Sequence, residues 1–107
     1  MGVKRELFRV SMAREGVVRC GTEVAPCAIT DLTSHGIGVS TDLQAVRGDT
    51  LELMFHLTDK HPICCTILVT YATPPHLGGR ITAISSEHRN QLARYIEQHA
   101  FIALTAF

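Results

Sequence analysis

A chain of 107 residues with ten basic and ten acidic side chains and 46% hydrophobic content has room for one core and is too apolar for intrinsic disorder. Its zero net charge argues against a general nucleic-acid sink, which needs a basic face. The first residues lack the long apolar core of a secretory signal and no stretch is long enough to cross a bilayer, so the expectation is a cytoplasmic protein without membrane insertion. Cys20, Cys27, Cys64 and Cys65 form no CxxC pair and are read as reduced thiols, mainly small buried hydrophobes.

Residues 1–9 read as a flexible, arginine-bearing arm, with strand-like alternation beginning at Phe8 and continuing through Val10 and Met12. Lys4, Arg5, Arg9, Arg14 and Arg19 crowd this region against only Glu6 and Glu15, which suits an anionic ligand nearby. Arg14-Glu15-Gly16 is a turn signal before extension resumes at Val17–Cys20. Val24–Thr30 reads as a strand that Pro26 makes an edge or a bulge. It ends at Asp31, where Asp31-Leu32-Thr33-Ser34-His35-Gly36 has the chemistry of a tight turn: Asp and Thr side chains bond to nearby backbone N–H groups and Gly36 can take φ > 0.

Ile37, Val39 and Thr41 then alternate with Gly38 and Ser40, and Arg47-Gly48-Asp49 turns the chain. The clearest strand follows, with Leu51, Leu53, Phe55 and Leu57 on one face. After a loop from Thr58 to Pro62, residues Ile63, Cys65, Ile67, Val69 and Tyr71 share a face of the next strand. Thr73-Pro74-Pro75 breaks it, and Gly78-Gly79 leads a last short strand, Arg80–Ile84. The period then changes to helical: Ser85 or Ser86 can cap a helix over 86–105 in which Leu92, Ile96, Ala100 and Ala103 form an apolar stripe. About six short strands and one helix make 1–107 a single, mainly all-β domain, and regular turn signals favour a small closed barrel with a C-terminal α-helix, because closure removes exposed edges. The apolar end from Phe101 to Phe107 either docks on the body or joins a partner, so both monomer and homodimer are open.

Catalysis finds little support. Cys27 with His35 is the one local nucleophile–base pair, and no Walker-type or GxGxxG loop is present. The histidines lack HxxxH or HxH spacing. No enzyme activity, catalytic residue, metal or cofactor is expected. Binding is better equipped. Arginine guanidinium groups grip phosphates bidentately, match the O6/N7 edge of guanine and stack on bases. A turn carboxylate complements guanine's N–H edge, and a glycine admits a ligand to the backbone. Arg5 and Arg9 on an arm, with an Asp31-x-Thr33-x-x-Gly36 turn, therefore suit a guanine nucleotide carrying phosphates.

Arg5-Glu6-Leu7-Phe8-Arg9 resembles the RxxxR motif of PilZ domains, and Asp31-Leu32-Thr33-Ser34-His35-Gly36 resembles the [D/N]xSxxG motif of the same family, preceded by a strand. The order of the later hairpins and the terminal helix is similar as well. The resemblance implies a six-stranded antiparallel β-barrel with a C-terminal helix that acts as a bacterial second-messenger receptor for cyclic di-GMP and relays the signal to an effector protein. Carried over residue by residue, Arg5 and Arg9 clamp phosphate and guanine, Asp31 bonds a guanine edge, Thr33 stands where the family usually has serine, with Ser34 beside it, and Gly36 gives backbone access. Lys4 occupies a position where many members have arginine, and Tyr71 is placed like an aromatic that stacks on guanine in some members. The family's aromatic is missing from Gly79-Arg80-Ile81. The alternative is a PilZ-like interaction module that does not bind cyclic di-GMP. A barrel for single-stranded nucleic acid is disfavoured by 6% aromatic content and zero net charge.

Overall fold

The computed structural model describes residues 10–33, 35–58 and 61–105. The strands are β1 (Val10–Cys20), β2 (Glu23–Leu32), β3 (Gly36–Thr41), β4 (Thr50–Thr58), β5 (His61–Thr73) and β6 (His76–Ile84), followed by α1 (Ser86–Thr105). All pairings are antiparallel and close a barrel in the order β1-β2-β3-β6-β5-β4.

The interior is built by period-two alternation. On β4, Leu51, Leu53, Phe55 and Leu57 are buried while the residues between them are exposed. Across the ladders Val18, Leu53 and Cys65 lie in one inward row, and Ile29, Val39, Ile63, Ile67 and Val69 fill the remaining space. Each such side chain contributes roughly 1.5–3 kcal/mol by leaving water. The helix starts where the last strand stops. Ser85 Oγ accepts from the His88 N–H at 3.1 Å and the Ser85 carbonyl accepts from the Arg89 N–H at 2.8 Å, satisfying N-terminal donors that have no partner within the helix. His88 Nδ1 accepts from the Cys64 N–H at 3.1 Å, joining this first turn to β5. Leu92 and Ile96, one helical turn apart, are buried in the barrel's core cluster.

Several local expectations are corrected. Arg14-Glu15-Gly16 is no turn: β1 runs through it, and the irregularity is a register shift between Ser11 and Arg14. Gly16 is instead a close-approach site, since a Cβ there would stand 2.6 Å from the Met54 carbonyl oxygen on β4. Pro26 is neither on an outer edge nor at a bulge. It pairs with Val17 on β1, just beyond the last β2–β3 pair, Cys27 with Thr41, and its carbonyl accepts from Thr41 Oγ1 at 2.9 Å. A missing N–H is tolerated there because the β3 ladder has already ended. The Thr58–Pro62 loop is shorter than expected, because Thr58 already pairs with His61. Gly78 and Gly79 lie inside β6 rather than leading into it.

Candidate functional site

One row of register partners crosses the outer wall of the barrel: Asp31 on β2, Gly38 on β3, Gly78 on β6 and Tyr71 on β5. Directly paired residues on antiparallel strands project to the same face, so the carboxylate and the phenol flank two glycines. Both side chains lean over them. A Cβ on Gly38 would overlap Asp31 Oδ1 and stand 2.9 Å from its Cγ, and a Cβ on Gly78 would fall inside the Tyr71 ring, 2.6 Å from Cδ1. The two glycines are themselves buried beneath these flanks, and no side chain could be added at either without displacing one.

Both flanking residues follow a bulge. The β2–β3 register shifts between Ile29 and Asp31, and the β5–β6 register shifts between Val69 and Tyr71. An extra residue in one strand re-aims the next side chain. This is why Tyr71 does not share the inward face of Ile63, Cys65, Ile67 and Val69, as alternation predicts, but turns outward and is 50% exposed. That exposure leaves the ring free to stack on a planar ligand.

The adjacent turn is held by Thr33. Its Oγ1 accepts from the Gly36 N–H at 2.9 Å and from the His35 N–H at 3.3 Å, while its N–H donates to the Gly36 carbonyl at 2.9 Å. Serine could form the same bonds. Asp31 belongs to β2, and its side chain lies across Gly38. One expectation about this turn changes. Among the described glycines only Gly21 and Gly48 have positive φ, so Gly36 is required for space: a Cβ there would stand 2.9 Å from the Gly79 carbonyl oxygen. The turn is tied to β6 by the Ile81 N–H, which donates to the His35 carbonyl at 2.8 Å.

Asp31, Thr33, Gly36 and Tyr71 are therefore brought to one region of the wall. Arg5, Arg9, Lys4 and Ser34 lie outside the described residues, as does the whole arm 1–9. The attachment point of the arm is defined, because Val10 pairs with Leu32, between Asp31 and Thr33. Sequence reasoning missed Gly38 and Gly78 in this row. The available signal was a glycine inside each of two apolar strands, which marks close approach by another group. It also passed over Arg80, an exposed residue on β6 that pairs with Gly36.

A groove of about 680 Å³ lies elsewhere, over β1, β2, β4, β5 and β6. Exposed Val17, Val24 and Met54 line it, with the Arg19–Glu52 ion pair and Cys64. The four cysteines are free; Cys27 and Cys65 are buried and Cys64 is exposed. Burial pushes the Cys27 thiol up to about 11, and burial together with neighbouring Cys64 pushes Cys65 up to about 12, so neither is a nucleophile near neutrality. Among the described residues no cluster of three or more potential metal ligands occurs. No helix among them is long and apolar enough to cross a membrane.

The closed antiparallel barrel, with its row of Asp31, Gly38, Gly78 and Tyr71 on the outer wall, defines a small six-stranded barrel domain. The family model for the PilZ domain matches residues 4–98, and the chain belongs to that family. Among solved structures it is similar to the Bacillus subtilis inhibitor of motility MotI/DgrA, at 16% identity and a TM-score of 0.72 over 84% of this chain and 48% of that one. The chain thus spans about half the length of MotI/DgrA. It is also similar to the PilZ domain of CeSA from a cellulose-synthesizing bacterium, at 14% identity and a TM-score of 0.67 over 84% of this chain and 95% of that one. These likenesses establish the fold. No curated protein matches the chain.

Proposed function

We propose that this chain is a receptor for cyclic di-GMP that performs no chemistry and passes the bound state to a partner protein. The observation that carries the reading is the row Asp31–Gly38–Gly78–Tyr71, which puts a hydrogen-bond acceptor and an exposed stacking ring on one outer face of the wall. Guanine has both features such a site takes: an N–H edge for the carboxylate and a π-face for the phenol. Family membership supports the same ligand, since PilZ domains generally bind it.

In this reading Arg5 and Arg9 close over the ligand from the arm, gripping phosphate oxygens bidentately, with Lys4 as a further point charge. Thr33 and Gly36 hold the turn against which the base rests. The arm precedes Val10, which pairs with Leu32 beside Asp31. Ordering of the arm on binding supplies the altered surface that a partner reads. Calorimetric titration with cyclic di-GMP tests this. A wild-type Kd in the micromolar range, about −8 kcal/mol, with at least tenfold weakening in Arg9→Ala and in Asp31→Ala, supports the proposal. Unchanged affinity in either variant overturns the assigned site.

The ligand-independent interaction module has one observation in its favour, the exposed apolar groove with Val17, Val24 and Met54. An absence of heat with cyclic di-GMP, together with an unshifted melting curve, would select it.

A further inference from the structure

The wall away from the Asp31–Tyr71 row carries an apolar groove that the receptor reading leaves unused. Val17 on β1 pairs with Met54 on β4, and Met54 pairs with Cys64 on β5. Two residues along, Val24 on β2 pairs with Arg19, Arg19 with Glu52, and Glu52 with Thr66. Directly paired residues share a face, so two adjacent rows line the groove from β2 across to β5. Among the described residues five large hydrophobic side chains are exposed, and three of them, Val17, Val24 and Met54, stand here together. Single exposed hydrophobics need no explanation, whereas a contiguous group rimmed by polar residues marks a contact surface.

The charges of the groove select its occupant. Among the described lining residues only Arg19 and Glu52 are charged, and they form an ion pair with each other. An uncharged apolar segment can therefore cover the groove without stranding a charge. Outside the barrel strands the chain has one such segment, residues 100–107, which reads AFIALTAF and carries no charged side chain. It lies beyond residue 98, where the match to the family model ends. Its own groove is out of reach. Ser85 lines the groove and α1 starts at the next residue. At 1.5 Å of rise per residue the helix sets Phe101 roughly 24 Å along its axis from Ser85. Leu92 and Ile96, buried in the barrel's core cluster, fix that course, and none of the described α1 residues lines the groove.

We infer that the groove is the docking site for the apolar segment Phe101–Phe107 of a second copy of this chain. Each copy offers one groove and one segment, so a two-fold exchange satisfies both and closes the assembly as a dimer. The row Asp31–Gly38–Gly78–Tyr71 shares no residue with the groove, so the inference stands independently of cyclic di-GMP binding.

Sedimentation equilibrium of the full chain from micromolar to millimolar concentration tests it, with one variant for each half of the contact. Met54→Glu places a charge in the groove on a side chain that already faces solvent. Phe101→Glu with Leu104→Glu places charges in the segment. The wild type should associate to a dimer, and each variant alone should weaken that association roughly tenfold or more, because a charge must then be buried without a partner. An equimolar mixture of the two variants retains one intact groove and one intact segment, so it should form a one-to-one pair where neither variant pairs with itself. In the wild type, modification of Cys64 by a thiol reagent should slow as protein concentration rises. A wild type that stays monomeric overturns the inference. So does wild-type dimerisation by Met54→Glu, which would mean that the segments pair with each other. A mixture that fails to associate overturns it, as does protection of Cys64 that ignores concentration, which would place the segment on its own barrel. Melting curves of both variants at dilute protein within a few degrees of wild type show that the fold is intact in each.

Discussion

Replacing Gly38 with alanine adds one methyl group at the centre of the row. The new Cβ would overlap Asp31 Oδ1 and stand 2.9 Å from its Cγ and 3.1 Å from Thr30 Oγ1. Neither obstacle is backbone, so the strand can stay in place while Asp31 rotates away, at a rotamer cost of about 1 kcal/mol. Alanine regains some of this, because glycine inside a strand is destabilising by roughly 0.5–1 kcal/mol relative to it. Fold stability should therefore change little. Binding should not escape: losing a charged hydrogen bond costs about 1.5–3 kcal/mol, roughly 10- to 150-fold in affinity. Calorimetry with cyclic di-GMP reads the affinity, and thermal melting reads the fold. A Gly38→Ala protein that melts within a few degrees of wild type and binds at least tenfold more weakly supports the reasoning. Wild-type affinity would refute it, because a ligand indifferent to a methyl at Gly38 does not depend on where Asp31 stands.

Gly21→Ala should show the reverse: Gly21 has φ +62° with open space around it, so alanine pays only the left-handed penalty of about 1–2 kcal/mol, and melting should fall by several degrees with affinity for cyclic di-GMP untouched. Phe55→Ala removes a ring that is 0% exposed in the core and should destabilise by roughly 3–5 kcal/mol, readable as a lower urea midpoint; a loss below about 1 kcal/mol would contradict the described packing. A thiol reagent at pH 8 should modify exposed Cys64 well before buried Cys27 and Cys65, and equal rates would refute their burial. The same two thiols, raised from an ordinary 9.0 to about 11 and about 12, hold their protons in the folded state after the unfolded chain has released them. Their contribution is thus complete below about pH 9 and is lost as pH rises toward those folded values; the urea midpoint should fall between pH 8 and pH 10.5, and fall less in Cys27→Ala.

The barrel and its terminal helix were legible because both obey simple periods. Leu51, Leu53, Phe55 and Leu57 alternate without interruption, and the change from period two to Leu92 and Ile96 at helical spacing marks where the wall ends. The site was only partly legible. Tyr71 fits the alternation of β5 when the strand is read alone. It turns outward because β5 holds one residue more than β6 opposite it between Val69 and Tyr71. A bulge is a property of two strands together, so neither sequence carries it by itself. Gly36 was assigned the right place for the wrong reason, since what it avoids is the Gly79 carbonyl on a strand more than forty residues later. The glycines of the row were missed for a related cause: Gly38 and Gly78 acquire meaning only when β3 and β6 are paired, and that pairing places Arg80 opposite Gly36 as well.

The most direct test of the central claim is a backbone amide NMR titration with cyclic di-GMP, using the glycine signals as reporters. Large shifts at Gly36, Gly38 and Gly78, with Gly21 and Gly48 unmoved, are what a ligand seated between Asp31 and Tyr71 predicts. Shifts confined to the groove around Met54 and Cys64, or none at saturating ligand, would contradict it.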